Sequence, residues 1–372
     1  MDSRKELDIL LETKEQIQSN VYQLIKPGVF KEVNISHPLQ NGEVVVEPTL
    51  GSICHADLRY FSGQRRPEAL KEKLPMALIH EGIGKIVKSN LDSLPEGTRV
   101  VIVPNIPGYI LEGKQANDCC PICQKEMGDN YCEHKRFLGS GYDGLTQSKI
   151  VMPSSCVIPI PNEVPDEIAV LSELCTVSYQ ALRSIKEKLQ NSTVAVFGDG
   201  PVGYITATML THIFGIKEDR LTVFGADADK LKHFDFAKCF NVLNDHFSEG
   251  NQYDIAIDCT GGKFSENAIN QAIDLLNPLG EIILLGVSEE KVWINTRDVL
   301  EKGISLRGSS RSSFSDYPPV LKAMKNPSYQ EALRALLPRK RTEITSVEDL
   351  KNVMDDALQN RGWEKCLLEF HW

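Results

Sequence analysis

Apolar residues in the first half of the chain come in short bursts. VYQLI (21–25), EVVVEP (43–48), IGKIVK (83–88) and TRVVIVP (98–104) are β-rich runs punctuated by Pro and Gly, which predicts a strand-rich region over 21–160. The period changes after residue 165, where Ile168, Leu171, Leu174, Val177 and Ala181 recur at helical spacing. Strand-length apolar runs follow at 193–197, 221–224, 254–258 and 281–285, with amphipathic segments between them. That alternation predicts an α/β fold with a doubly wound parallel sheet covered by helices. After Arg307-Gly308 the alternation fades, and 312–372 reads as helical packing that returns to the first part. At the other end, Leu7, Leu10, Leu11 and Ile17 among charged residues suggest a short amphipathic helix. The expected divisions are therefore 1–162, 163–311 and 312–372.

The chain has 372 residues and a formal net charge of −10, which disfavours binding to a phosphate backbone. One short basic run, Arg339-Lys340-Arg341, reads as a solvated loop. No stretch is long and apolar enough to span a membrane. Charged residues near the start argue against a secretory signal, so a cytoplasmic protein is expected. Ten scattered cysteines fit reduced thiols, some of them metal ligands, better than a disulfide framework.

Two groups of residues carry chemistry. In VAVFGDGPVGYITATML, Gly198, Gly200 and Gly203 stand in G-x-G-x-x-G spacing between an apolar strand and an apolar helix. The first permits a tight turn, the second close approach of a pyrophosphate, and the third close helix–strand packing. The helix start offers free N–H groups to phosphate. Val202, Ile205, Met209 and Ile213 give that helix its expected buried stripe. The second strand ends VFGADADK, where an NAD site places an acid for the ribose hydroxyl. Counted back from Lys230, that place falls on Gly225, and Lys230 is available to a 2′-phosphate. NADP is favoured over NAD, with Asp227, two residues away, as the competing acid.

The second group is Cys54, His80, Glu81 and Glu173, a donor set suited to an open catalytic zinc site that polarises a carbonyl. Asp57 is spaced to orient a ligand. Cys119, Cys120, Cys123 and Cys132 form a separate cluster suited to a structural zinc, although adjacent cysteines share one ion awkwardly.

GSICHADLRYF, IHEGIG, the cysteine cluster, LSELCTVSY, GDGPVG and RGSSR together resemble the medium-chain, zinc-dependent alcohol and polyol dehydrogenases from Val21 onward. The resemblance implies a GroES-like catalytic domain (1–162, completed by 312–372) split around a Rossmann domain (163–311). Glutamate in LSEL, Tyr60 and Arg311 are similar to the polyol branch, where the last two positions contact substrate. CHADLRYFSGQRRPEALKEKLPMALIHEG and NTRDVLEKGISLRGSSRSS further resemble the ribulose-5-phosphate reductases. These make ribitol 5-phosphate with NADPH for teichoic-acid or capsule precursors, and pass it to a cytidylyltransferase. The resemblance thus implies an NADPH- and zinc-dependent reductase of a phosphorylated ketose, in a family commonly dimeric or tetrameric, with a homodimer expected here. Arg59, Arg65 and Arg66 fit a phosphorylated substrate. Ala56 stands where many alcohol dehydrogenases carry a proton-relaying Ser or Thr, leaving a zinc-bound water near Glu173, Tyr60 or His55 for that task. The rival expectations are an NAD-linked dehydrogenase of an unphosphorylated polyol and a non-catalytic nucleotide-binding protein.

Overall fold

The computed structural model describes residues 15–125, 128–245, 252–359 and 362–372. The helix expected from Leu7, Leu10 and Leu11 lies outside the described residues. Ile17, grouped with them by spacing, lies instead in the strand Gln16–Lys26, where Ile17, Ser19 and Val21 alternate inward. Period two governs here because this strand pairs with Val29–Pro38 along nearly its whole length.

The larger of the first unit's sheets centres on Glu43–Ser52. That strand is covered on both faces, so its apolar residues run almost unbroken. Glu81–Lys88 pairs with one of its edges, antiparallel, with Ser52 opposite Glu81. Leu367–Phe370 pairs with its other edge, with Leu367 also opposite Ser52. Thr342–Ile344 then adds in parallel to Leu367–Phe370. The tail beyond 312 is therefore not helical packing alone. Its two short strands, bordered by charged residues, give too little alternation to be read from sequence, and partner strands supply their hydrogen bonds.

The second unit is a six-stranded parallel sheet. Across it run Lys238–Asn241, Leu221–Gly225, Val194–Phe197, Tyr253–Asp258, Leu276–Leu284 and Ser305–Gly308. Chain order reverses between Val194–Phe197 and Tyr253–Asp258, the crevice where a doubly wound sheet binds its ligand. The two outermost strands went unseen in the sequence because they are half-buried and carry polar residues.

The helix Pro201–His212 is buried more widely than the expected stripe: Tyr204, Thr206, Thr208 and Leu210 are also covered. The helices Ser172–Arg183 and Pro327–Arg334 approach its outer side. Thr206 shares a 2.9 Å hydrogen bond with Ser178, and the Tyr204 hydroxyl donates to the Ala332 carbonyl at 2.9 Å. The basic run at Arg339 is exposed, as expected, with Arg341 reaching Glu167 and Glu369. Among the described residues no helix is long and apolar enough to cross a membrane.

Candidate active site

Strand register brings the candidate metal ligands together. Because Ser52 lies opposite Glu81, the chain leaving one strand at Cys54 meets the chain entering the other at His80. The ligand atoms of Cys54, His80 and Glu81 lie within 4.8 Å of one another. Cys54 caps the helix His55–Phe61, and Asp57 locks the arrangement. One Asp57 oxygen accepts the Cys54 amide at 3.0 Å. The other accepts the Ile79 amide at 3.1 Å and lies 3.3 Å from His80 Nδ1. With Nδ1 beside Asp57, Nε2 is the His80 nitrogen left for a metal. Burial opposes a charged His80, but Asp57 and Cys54 outweigh it and hold the pKa well above the ordinary value. Ile79 has φ of 67°, a left-handed conformation costly for a β-branched residue and held by the bonds on either side of it.

Glu81 is fully buried, and its Oε1 has no hydrogen-bond partner. Its other oxygen is 2.8 Å from the ammonium of Lys365, which also donates to the Ile53 carbonyl at 2.8 Å. An orphaned carboxylate oxygen beside a thiol and an imidazole fits a divalent zinc ion. Glu173, in the first turn of Ser172–Arg183, lies outside that tight group but within its field. Burial pushes its carboxyl up to about 7; His80 and Lys365 oppose this, and Glu81 and Asp57 add to it.

The four lobe cysteines also converge, with sulfur atoms within 4.8 Å of one another. Cys119 and Cys132 are 3.7 Å apart, and Cys120 and Cys123 are 3.5 Å apart. Backbone N–H groups, that of Glu133 foremost, lower the Cys120 thiol to about 6, whereas burial and the neighbouring thiols push Cys119 and Cys123 up. The adjacent pair is thus no obstacle: the chain turns so that both sulfurs face the same point. The lobe also fixes the RGSSR segment. Asn130 donates to the carbonyls of Ser310 and Arg311, and the Ser313 hydroxyl donates to Asp129 at 2.8 Å. Arg311 is held at φ of 64°, with its guanidinium 5.6 Å above the Phe137 ring.

The Tyr60 hydroxyl is 3.0 Å from the Ser140 hydroxyl, which accepts from Lys73 at 2.9 Å. The Arg65 guanidinium lies 4.6 Å over the Tyr60 ring. Arg59 and Arg65 both reach Glu289 across the cleft, at 3.3 and 2.8 Å. Lys73, Ser140, Glu289 and Lys365 had no signal in the sequence, because each acts through a partner distant along the chain.

At the dinucleotide turn, Gly198 has φ of 121°, and a Cβ at Gly203 would lie 1.9 Å from the Gly198 carbonyl oxygen. Both positions require glycine. Asp199, between them, is the residue the sequence reading overlooked. Its Oδ2 accepts the amides of Ala226 and Asp227, both at 2.7 Å. A carboxylate therefore does stand at the end of the second strand, supplied by the glycine turn. Gly225 makes room for it: a Cβ there would lie 2.7 Å from Asp199 Cβ. Asp227 is turned to its own helix, capping the amides of Asp229 and Lys230.

Comparison with known proteins gives the same outline. Residues 40–162 match the alcohol dehydrogenase GroES-like domain, and residues 201–326 match the zinc-binding dehydrogenase domain. The chain is 37% identical over 355 residues to ribulose-5-phosphate reductase 1 of Staphylococcus aureus, covering 95% of this chain and 99% of that one. It is 35% identical to the ribulose-5-phosphate reductase of Bacillus spizizenii, with the same coverage. The crystal structure of S. aureus TarJ in complex with NADPH superposes with a TM-score of 0.79 at 33% identity, covering 96% of this chain and 100% of that one.

Proposed function

The chain belongs to the zinc-binding medium-chain dehydrogenases, and from that premise we propose that it reduces D-ribulose 5-phosphate to D-ribitol 5-phosphate with NADPH. The observation that carries this is the convergence of Cys54, His80 and Glu81 donor atoms within 4.8 Å, in a chain aligned along almost its whole length with ribulose-5-phosphate reductases. Cys54 and His80 hold the zinc, with Glu81 and Glu173 supplying oxygen beside it. Zinc bound there polarises the ketone. Asp57 keeps His80 in the tautomer that presents Nε2. Gly198, Gly200 and Gly203 admit the cofactor pyrophosphate to the start of the helix Pro201–His212, and Lys230 lies beyond Gly225 on the 2′ side. Arg311 and Tyr60 orient the sugar chain. With alanine at position 56, the bonded series Tyr60–Ser140–Lys73 is the route by which the new alcohol receives its proton.

The units 1–162 and 312–372 form the catalytic domain, and 163–311 the cofactor domain. The enzyme acts in the cytoplasm as a homodimer. Its product feeds a ribitol-5-phosphate cytidylyltransferase on the way to a cell-wall or capsule polymer. The test is NADPH oxidation with D-ribulose 5-phosphate, D-ribulose and D-fructose, repeated with NADH and after metal chelation. Preference for the phosphorylated ketose with NADPH, lost on chelation, is the expected result. Equal rates on ribulose and its phosphate refute the substrate assignment.

A further inference from the structure

Two arginines of the first unit close on one carboxylate of the second. Arg59 lies in the helix His55–Phe61, and Arg65 lies in the turn before the helix Pro67–Lys73. Glu289 is carried by the loop that leaves the C-terminal end of Leu276–Leu284. Ligands of a doubly wound sheet bind outside those strand ends, so Glu289 stands in the cleft. Both guanidinium groups donate from Nη1 to the same carboxylate oxygen, Oε1, at 3.3 Å from Arg59 and 2.8 Å from Arg65. The Nε atom of each arginine is buried and has no hydrogen-bond partner. Glu281 shows the fuller arrangement. It also serves two cations, but gives Oε2 to Lys188 and Oε1 to Arg307.

Two positive charges therefore meet one negative charge, and among the described residues no second carboxylate is paired with either arginine. A buried N–H without an acceptor is uncommon in a finished network. Here two occur on guanidinium groups that share an anion. The pair suits an anion with more charge and more oxygens than a carboxylate. A phosphate monoester brings roughly two negative charges and three acceptor oxygens, and arginine holds it bidentately. The position agrees with this. The Arg65 guanidinium lies 4.6 Å over the Tyr60 ring, while the hydroxyl end of that ring bonds to Ser140. Ser140 follows Gly139, where a Cβ would lie 3.6 Å from His80 Nδ1. Tyr60 thus bridges the surroundings of His80 and Arg65. In a 2-ketose 5-phosphate, the phosphate is three carbons and an ester oxygen from the carbonyl. A chain laid along Tyr60 with its carbonyl on the metal side brings that phosphate to Arg65.

We propose that Arg59 and Arg65 form the seat of the substrate's phosphate, and that Glu289 is a stand-in anion which the phosphate displaces. The proposal rests on the substrate reading given above. It selects two of the three arginines marked in the sequence, since Arg66 is exposed and outside the pair. It also gives Glu289 a part in specificity. A ketose without phosphate has no anion to exchange for that carboxylate, so Glu289 discriminates against it.

The test measures kcat/KM for D-ribulose 5-phosphate and for D-ribulose in the zinc-loaded parent, Arg59→Gln, Arg65→Gln, Arg65→Lys and Glu289→Gln. Inorganic phosphate serves as a competitive inhibitor, and the NADPH Kd is read by fluorescence. Arg59→Gln and Arg65→Gln are each expected to lower the ratio for phosphorylated over free ketose at least about tenfold and to weaken inhibition by phosphate in parallel. Arg65→Lys keeps the charge without the planar fork and should retain part of the ratio. Glu289→Gln is expected to act in the opposite direction and strengthen inhibition by phosphate about threefold or more, which the loss of a purely structural ion pair would not do. Arginine-to-glutamine variants whose ratio and phosphate inhibition stay within about twofold of the parent overturn the proposal. So does weakened phosphate inhibition in Glu289→Gln, because it makes the carboxylate a support of the seat instead of its occupant. A rise in NADPH Kd that matches the rise in KM also overturns it, by assigning the arginines to the cofactor's phosphates. A parent with no preference for the phosphorylated ketose overturns the substrate reading and this inference together. A parental preference that persists undiminished in the arginine variants overturns this inference alone. If the melting temperature shows Arg59→Gln to be unfolded, Arg65→Gln and Glu289→Gln decide the matter.

Discussion

Lys365 and Glu81 form a buried ion pair at 2.8 Å between chain segments nearly three hundred residues apart. Burial alone pulls the Lys365 pKa down, but Glu81 and Cys54 overcome it and keep the ammonium charged. Removing one partner leaves the other as a buried, uncompensated charge. Lys365→Met is expected to cost about 3 kcal/mol or more of folding free energy. The double variant with Glu81→Gln should recover a large part of this. Urea unfolding of the metal-free proteins checks both.

Cys54→Ser should reduce turnover by at least about a hundredfold, the scale of losing an oxyanion-stabilising group. NADPH affinity should change little, because the dinucleotide turn belongs to the other sheet. Metal analysis should show the loss of one zinc equivalent. Near-parental turnover in a variant shown to lack that zinc would contradict the zinc assignment.

Cofactor choice should respond to Asp199. Its carboxylate holds the Ala226 and Asp227 amides where a 2′-phosphate must approach. Asp199→Asn removes a negative charge from that place and is expected to raise the NADPH-to-NADH ratio of kcat/KM by about tenfold, or about 1.4 kcal/mol. Gly225→Asp should shift the ratio the other way, but with a loss of melting temperature, since its side chain has to displace Asp199 or Leu231. Steady-state kinetics with both cofactors measures these shifts.

Stability of the metal-free protein should fall as pH rises from about 4.5 to about 7, because buried Glu173 holds its proton to about 7 while the unfolded chain loses it near 4.5. Across that window the folded state binds more protons than the unfolded state, so raising the pH favours unfolding. Glu173→Gln should flatten this part of the profile. Urea midpoints at pH 5 and pH 7.5, compared between parent and variant, report the difference.

Cys132→Ser should remove the second zinc equivalent and lower the melting temperature without altering the content of the Cys54 site. An unchanged total metal content in this variant would show that the lobe thiols bind none.

What could be read from the sequence was what is local. The G-x-G-x-x-G turn, the adjacent His80 and Glu81, and the clustered cysteines each announce themselves within a few residues, and the parallel sheet's inner strands do so by their apolar runs. Lys365 could not be read, because only the pairing of Leu367 with Ser52 carries it to Glu81. Asp199 was hidden inside a motif usually read for its glycines. Ile17 misled because four apolar residues can be matched to a helical period when the strand partner is unknown.

The pairing of Leu367–Phe370 with Glu43–Ser52 imposes an order on synthesis. The six strands of the parallel sheet have all been made before Lys365 leaves the ribosome, so the cofactor domain can complete itself on the nascent chain. The catalytic domain cannot. Until Lys365 arrives, Glu81 lacks its ammonium partner, and the Leu50–Ser52 end of Glu43–Ser52 has one edge unpaired, the Glu43–Val46 end being covered by Ile150–Pro153. Completion of the ion pair beside Cys54 and His80 is thereby deferred until translation has passed Lys365, and a prematurely terminated chain retains a nucleotide-binding body without that pair.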